Sequence, residues 1–205
     1  MYRKCIKRIL DIVLSFAAII ILLPLMVLLS IVIAFNMGTP ILFNQKRVGR
    51  NEKVFMMHKF RTMNNKTDEK GQLLPDEKRV TALGRFLRGS SLDELPELFN
   101  ILVGDLSIIG PRPLLVEYLP YYTEFERQRH KVRGGLTVPE VLYDNVTPTW
   151  EEQFKYEVDY ANNVSFLLDI KILYKTITGV LKRNNTDYGS YVRKSLIEER
   201  KDISQ

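Results

Sequence analysis

The longest apolar segment of the chain lies close to its amino terminus. Residues Ile12 to Phe35 form a run of 24 uncharged residues, of which only Ser15 and Ser30 are clearly polar. As a helix this run would be about 36 Å long, enough to cross the hydrocarbon core of a bilayer. Pro24 at its centre removes a helical hydrogen bond and predicts a kink or a break. Residues 1–38 are therefore predicted to be a retained membrane segment, either a kinked spanning helix or a broken one that returns to the face it entered.

Shorter patterns after this segment predict a mixed, helix-rich α/β domain over residues 39–183. Alternating apolar and polar positions are typical of strands over residues 41–45 and 54–63, and a basic turn joins the two. Strand alternation places Lys59 and Arg61 on the same face.

Helices are predicted where apolar residues recur every three or four positions. Leu95, Leu98 and Leu102 form such a stripe over residues 93–103, and Gly104 ends it. Further helices are predicted at 81–88, 121–132, 150–162 and 166–183. The polar stretches predict an exposed loop at 64–79, a turn-rich segment at 104–113 and a loose polar tail at 184–205.

The net charge of +6 comes from the first 60 residues, where nine lysines and arginines but only two acids flank the apolar segment. Positive charge marks the cytoplasmic side of a membrane, so basic residues on both flanks favour a segment with both ends on that side. The same distribution favours an anionic membrane surface over nucleic acid as the partner. Cys5 is the single cysteine and there are two histidines, so neither an internal disulfide nor a zinc site is predicted.

The main candidate for chemistry is the acidic pair Asp93 and Glu94 in the string SSLDELPELFN. Pro96 is tolerated only near the start of a helix, so the string predicts Asp93 as the N-cap with Glu94 in the first turn. Acids are common there because they bind free amides and complement the helix dipole, so a structural cap explains the pair. The functional alternative is an ionised aspartate that attacks phosphorus, next to free amides that bind phosphate.

Two arginines are candidates for the cations that phosphoryl transfer requires. Arg88 shortly precedes Asp93 in the sequence. Arg112 lies between Pro111 and Pro113, which stiffen the backbone around a guanidinium that can bind phosphate through two hydrogen bonds. Each arginine alone is equally compatible with an ordinary surface position.

Five motifs together resemble the bacterial sugar transferase family, and in particular its small monotopic phosphoglycosyl transferases. They extend over most of the chain: KFRTM (59–63), LLPDEKRVTALGRFLR (73–88), SLDELPELFNIL (91–102), GDLSIIGPRPLLVEYLPYY (104–122) and FLLDIKIL (166–173).

The resemblance implies transfer of a sugar 1-phosphate from a UDP-sugar to undecaprenyl phosphate, with release of UMP. It implies that Asp93 is the nucleophile, that Glu94 is its partner, and that Mg²⁺ binds near these two acids. The predicted substrate-binding residues are Lys59, Arg61, Arg88, Arg112, Arg133 and Asp169.

The resemblance also implies a re-entrant membrane helix, amphipathic membrane-associated helices and an active site on the cytoplasmic face of the bacterial inner membrane. Expected partners besides the two substrates are membrane lipid, downstream glycosyltransferases and a second copy of the chain. No nucleic-acid partner is expected.

The chain departs from the family pattern in two places. Leu23 precedes Pro24 where the family usually has serine. The family's RPGITGLAQVxGR stretch is RGGLTVPEVLYDN here, with Pro139 new and Asn145 replacing an arginine. The second departure affects the expected choice of sugar first, and it leaves open a non-catalytic membrane module that binds UDP-sugar or partner enzymes. A membrane-associated nucleic-acid binder is the third alternative, which the charge distribution disfavours.

Overall fold

The computed structural model describes residues 1–143, 148–181 and 193–203 and confirms a mixed, helix-rich class. Its helices are α1 Lys7–Met37, α2 Asp76–Arg79, α3 Ala82–Gly89, α4 Glu97–Val103, α5 Glu124–Arg127, α6 Trp150–Asn162, α7 Phe166–Leu181 and α8 Leu196–Ile203. Strands β1 Leu42–Val48 and β2 Val54–Phe60 pair antiparallel, and β3 Leu106–Ile109 pairs in parallel with β4 Gly134–Thr137.

Helix α1 continues through Pro24, so the predicted break is absent, whereas a kink at this position stays a prediction. Proline removes only one backbone donor, and the long apolar runs on both sides favour helix. Within the described ranges it is the one helix long and apolar enough to cross a membrane. Its buried residues recur along a single face, and they are Asp11, Ser15, Ile19, Met26, Leu29 and Ile33. Most of its other apolar side chains are exposed.

Both ends of α1 are attached to the same domain. Near its start, the Arg8 guanidinium donates to the carbonyl oxygens of Ile101 and Leu102 at 2.6 and 2.9 Å. At its end, the buried Arg61 guanidinium donates to the carbonyl oxygens of Met37 and Gly38. Between these points α1 packs on α4, β2 and α3 through two apolar clusters. The buried face of α1 therefore follows the domain along the length of the helix.

Helices α6 and α7 complete the core beside the second sheet. Thr149 begins α6 with a capping box to Glu152, and α6 has the bounds predicted from its sequence. Buried Ile172 of α7 packs with Ile109 of β3 and Tyr160 of α6. The predicted end of the last long helix, at residue 183, lies outside the described residues.

Four predicted segments differ from the structure, and the first is the exposed loop predicted over 64–79, whose last four residues form α2. The helix predicted over 121–132 is a short α5 between two 3₁₀ segments, because Thr123 forms a capping box and starts the helix later. The turn-rich segment 104–113 contains β3. Part of the predicted loose tail, Leu196–Ile203, is helix α8, and Leu196 is fully buried against Trp150 and neighbouring aromatic side chains. The rest of that tail, apart from residues 193–195, lies outside the described residues.

Candidate active site

The acidic pair lies in a 3₁₀ turn, Leu92–Glu94, that precedes α4. The predicted N-cap role of Asp93 is wrong, because Pro96 occupies that position in α4. Ser91 enters the turn with a left-handed φ of 57°, an uncommon conformation for a residue with a side chain. This turn displaces the two acids from the helix axis and buries Asp93, which is 9% exposed.

Lys59 is the cation that holds this cluster together. Its Nζ lies 2.6 Å from Oε1 of Glu94 and 3.1 Å from Oε1 of Glu97. Glu97 was not singled out from the sequence. The available signal was its spacing, four residues after Asp93 and three after Glu94, which is typical of side chains on one helical face. Glu94 and Glu97 thus both pair with Lys59, and the lysine charge also acts on nearby Asp93.

A buried asparagine explains why Lys59 reaches the acids. Asn100 lies one turn after Glu97 on α4 and is 1% exposed. Its Oδ1 accepts a hydrogen bond from the backbone N–H of His58, and its Nδ2 donates to the carbonyl of Met56. Because these bonds fix the backbone of β2 against α4, Lys59 is held directly beside Glu94 and Glu97.

Arg88 approaches the cluster from α3. Its Nε donates to Oγ1 of Thr62 at 2.9 Å, and its charge acts on Asp93. Gly84, one turn earlier on the same face, packs so closely on the backbone of Thr62 that a Cβ there would overlap the carbonyl oxygen. The missing side chain of Gly84 therefore brings α3, and with it Arg88, next to the end of β2.

The cluster raises the pKa of Asp93 and of Glu97. Burial and the charge of Glu94 raise the pKa of Asp93, and Lys59 and Arg88 only partly oppose them. The raised pKa opposes the ionised form of Asp93, which the functional alternative drawn from the sequence requires. Burial also raises the pKa of Glu97 to about 7, against the opposing charge of Lys59. Burial lowers the pKa of Lys59, but Glu94 and Glu97 outweigh that effect and the net shift is upward.

Arg112 is held through its backbone by a buried ion pair. Its N–H donates to Oε1 of Glu157 at 2.8 Å, and its carbonyl accepts from Arg129. Arg129 and Glu157 are 1% and 0% exposed and pair at 2.6 Å from Nε to Oε2. The Arg112 residue itself is exposed. The stiff Pro-Arg-Pro backbone predicted from the sequence is thus fixed further by two charged groups that the sequence analysis did not identify.

Glu140 lies in the stretch that departs from the family pattern, and it meets the same ion pair. Burial and the neighbouring Glu157 carboxylate raise its pKa, and Arg112 opposes them. Its Oε2 is buried without a hydrogen-bond partner in the described part of the chain. The Glu140 carboxyl group is therefore buried close to both the Glu157 carboxylate and Arg112. Asn145, the other notable position of this stretch, lies outside the described residues.

The remaining predicted site residues serve the packing of α1 and α4. Arg61 binds the end of α1, as described above, and Nε of Arg133 donates to the Gly104 carbonyl at the end of α4. Asp169 is 4% exposed, and it accepts hydrogen bonds from Tyr2, Lys7 and Tyr160. The structure thus joins Asp93, Glu94, Lys59 and Arg88 at one place. Roles of Arg61, Arg133 and Asp169 in substrate binding stay predictions.

A resident metal site is not evident from the described residues alone, since none of their His, Cys, Asp and Glu side chains form a metal-binding group of three or more. Mg²⁺ commonly binds through one or two carboxylates, and substrate phosphates and water complete its shell. Asp93 and Glu94 fit that donor set, because they are two carboxylates adjacent in the sequence and the charge of Glu94 acts on Asp93, so a cation between them would relieve their repulsion.

The sequence profile described as "Bacterial sugar transferase" matches residues 2–183. The chain is 48% identical over 150 residues to the "Uncharacterized sugar transferase EpsL" of Bacillus subtilis, which covers 73% of this chain and 74% of that protein.

Two further relatives have names that state an activity. One is the UDP-N-acetylgalactosamine-undecaprenyl-phosphate N-acetylgalactosaminephosphotransferase of Aeromonas hydrophila, 36% identical over 187 residues, or 86% of this chain and 44% of that protein. The other is the undecaprenyl-phosphate galactose phosphotransferase of Salmonella typhimurium, 34% identical over 198 residues, or 88% of this chain and 41% of that protein. The chain therefore spans less than half the length of both.

Proposed function

The chain belongs to the bacterial sugar transferase family, and from that membership we propose that it is a phosphoglycosyl transferase. It would move a sugar 1-phosphate from a UDP-sugar to undecaprenyl phosphate or a related polyprenyl phosphate, release UMP, and so begin the assembly of a glycan at the membrane. Relatives named for this chemistry support the proposal. The structural observation that carries it is the buried Asp93 carboxylate beside Glu94, Lys59 and Arg88.

In the proposed first step, Asp93 attacks the phosphorus that bears the sugar. A bond forms between an Asp93 Oδ and that phosphorus, and the phosphorus–oxygen bond to UMP breaks. The raised pKa of Asp93 makes its ionised form a stronger base, and Lys59 and Arg88 keep that form accessible. Arg88 is placed to stabilise the negative charge that develops on the phosphoryl oxygens.

In the second step, an oxygen of the polyprenyl phosphate attacks the same phosphorus. The bond to Asp93 breaks, and the carboxylate is restored as the lipid diphosphate sugar leaves. Glu94, held by Lys59, assists by binding or moving a proton at its carboxylate oxygens. Bound at Asp93 and Glu94, Mg²⁺ would supply charge neutralisation for the diphosphate.

UMP release tests the proposal directly. The purified full chain, supplied with a panel of UDP-sugars, polyprenyl phosphate and Mg²⁺, is expected to release UMP with at least one sugar. A chain that binds a UDP-sugar but turns over none of the panel would instead be the non-catalytic module that the altered 133–145 stretch suggested. The two functions are therefore separated by one binding assay and one product assay.

We further propose that α1 enters one face of the membrane and returns to it, with the catalytic domain on the cytoplasmic side of the bacterial inner membrane. Arg8 and Arg61 attach its two ends to one domain, and its buried face follows that domain between them. A bend at Pro24 would return the helix to the face it entered. The exposed apolar face of α1 would lie in the lipid. Helix α7 adds an amphipathic surface with exposed Leu167, Ile170 and Tyr174. A homodimer and downstream glycosyltransferases as partners stay predictions.

The single native cysteine makes this topology testable. In spheroplasts of a bacterial host, a membrane-impermeant maleimide is expected to label neither native Cys5, before α1, nor an engineered Lys46→Cys in a Cys5→Ser background, after α1. Both positions are exposed in the structure, so both should react once the membrane is opened. Labelling of one position from outside the intact spheroplast would rule out the re-entrant arrangement.

A further inference from the structure

A second cationic site lies apart from the acidic cluster. A pocket of about 350 Å³ is lined by six basic side chains, and they are Arg3, Lys7, Arg8, Arg50, Lys131 and Arg133. One carboxylate, Asp11, also contributes to its wall. The Asp11 Oδ1 accepts hydrogen bonds from Ser107 Oγ and the Ile108 N–H, so it is already engaged by the protein.

The basic side chains of this pocket differ in how the protein uses them. Arg8 and Arg133 bind carbonyl groups at the end of α4, and Lys7 pairs with Asp169 at 2.7 Å. Arg3, Arg50 and Lys131 are exposed. Arg3 donates to the Lys131 carbonyl at 3.3 Å and Lys131 donates to Oε1 of Gln128 at 2.8 Å, and neither bond neutralises a charge. Burial lowers the pKa of Arg133, and the charges of Arg8 and Arg50 lower it further. The pocket therefore concentrates positive charge beyond what its own acid neutralises, which favours an anionic ligand.

The pocket lies at the opposite end of α4 from the acidic cluster. Glu97 begins this seven-residue helix, whereas Arg8 and Arg133 bind its last carbonyls, so about 10 Å of helix separates the two. The lining of the pocket includes neither Asp93 nor Lys59. It is thus a separate feature rather than an extension of the acidic cluster.

The surroundings of the pocket indicate a ligand that is part of a membrane. Exposed apolar residues lie within one or two helical turns of the residues that line the pocket, and on α1 they are Ile9 and Val13. Val164 lines the pocket and precedes α7, where Leu167 and Ile170 are exposed. A basic pocket next to two lipid-compatible surfaces matches the boundary at which anionic headgroups lie.

We propose that this pocket binds the phosphate headgroup of an anionic membrane phospholipid, with the acyl chains lying along the exposed apolar faces of α1 and α7. Such a lipid would fix the depth and orientation of the domain at the membrane surface. The proposal does not depend on the reaction assigned to Asp93.

Native mass spectrometry of the full chain, from micelles with equal amounts of phosphatidylglycerol and phosphatidylcholine, tests this site. The chain is expected to retain phosphatidylglycerol in preference to phosphatidylcholine. The combined variant Arg3→Gln, Arg50→Gln and Lys131→Gln removes three exposed cations of the pocket and should lower that retention at least about tenfold. An Asp93→Asn variant should retain the lipid as the unchanged chain does, which separates this result from any failure of the proposed reaction.

A matched control changes the same amount of charge elsewhere. The combined variant Lys66→Gln, Lys70→Gln and Lys78→Gln alters three exposed lysines outside the pocket and should keep the lipid. Equal retention in both triple variants, or equal loss in both, would overturn the site. Displacement of the lipid by millimolar inorganic phosphate would overturn the phospholipid assignment in favour of a soluble anion. Loss of polyprenyl phosphate rather than of phosphatidylglycerol in the Arg3, Arg50 and Lys131 variant would assign the pocket to the acceptor and overturn the phospholipid assignment equally.

Discussion

Asp93→Asn is expected to lower UMP release by at least about 10⁴-fold, because the amide cannot form the bond to phosphorus that the proposed route requires. The same substitution should leave the melting temperature unchanged or raise it. In the folded chain, burial and Glu94 raise the pKa of Asp93, so its ionised form is less favourable there than in the unfolded chain. A neutral asparagine removes that cost at neutral pH. Lost turnover with retained stability is the signature expected of a nucleophile rather than a structural cap.

Single-turnover kinetics without acceptor make this prediction specific. The unchanged chain should release close to one UMP per active site in a burst and retain the labelled sugar phosphate, and Asp93→Asn should do neither. Glu94→Gln should slow the burst without abolishing the covalent adduct. A burst that survives in Asp93→Asn and disappears in Glu94→Gln would assign the nucleophile to Glu94. Asp76→Asn serves as the matched control, because Asp76 is an exposed acid that precedes the acidic pair in the sequence.

The sequence was sufficient where local chemistry determines the structure. Helix α6 was predicted to the residue, because an apolar stripe follows Thr149, whose capping box fixes the first turn. The end of α4 at Gly104 was also predicted, and this glycine adopts a φ of 103° that other residues rarely reach. These features depend on neighbours within a few positions.

The sequence was insufficient where contacts between residues far apart in the sequence determine the structure. Strand β4, Gly134–Thr137, is glycine-rich and shows no alternation of apolar and polar residues. It is a strand because it pairs with β3, and in that pairing Leu106 lies opposite Gly134, 28 positions later in the sequence. Leu196 was assigned to a loose tail because its burial depends on aromatic side chains from two earlier segments, residues 118–122 and α6.

The residues of the candidate site show the same difference between local and distant contacts. The acidic pair and Arg88 are close in sequence, so their proximity could be inferred, and the family resemblance gave them roles. The partners that position them could not be inferred, because Asn100 reaches β2 across 42 and 44 positions and Arg129 reaches Glu157 across 28. The sign of the pKa shift at Asp93 also depends on burial, which its own eleven-residue string does not contain.

Glu157→Gln is expected to destabilise the fold by about 3 kcal/mol, because it leaves the buried Arg129 guanidinium without its paired charge. For a chain of this size that corresponds to a fall in melting temperature of about 6–12 °C. Trp150, the single tryptophan, is buried on the same helix and reports the transition by fluorescence. Glu151→Gln, also on α6 and 3.3 Å from Arg200 but largely exposed, is the matched control and should cost less than about 1 kcal/mol.

The neighbouring carboxyl group makes the Glu157→Gln prediction sharper. Once Glu157 is neutral, burial still raises the pKa of Glu140 but the charge of Glu157 no longer does, so Glu140 ionises more readily and offsets part of the charge lost beside Arg129. Glu140→Gln alone should therefore change stability little, whereas the double variant should lose more than the sum of the two single losses. Strict additivity would show that Glu140 does not replace Glu157. Because Glu157 and Arg129 hold both backbone groups of Arg112, the double variant should also reduce UMP release at temperatures where it remains folded.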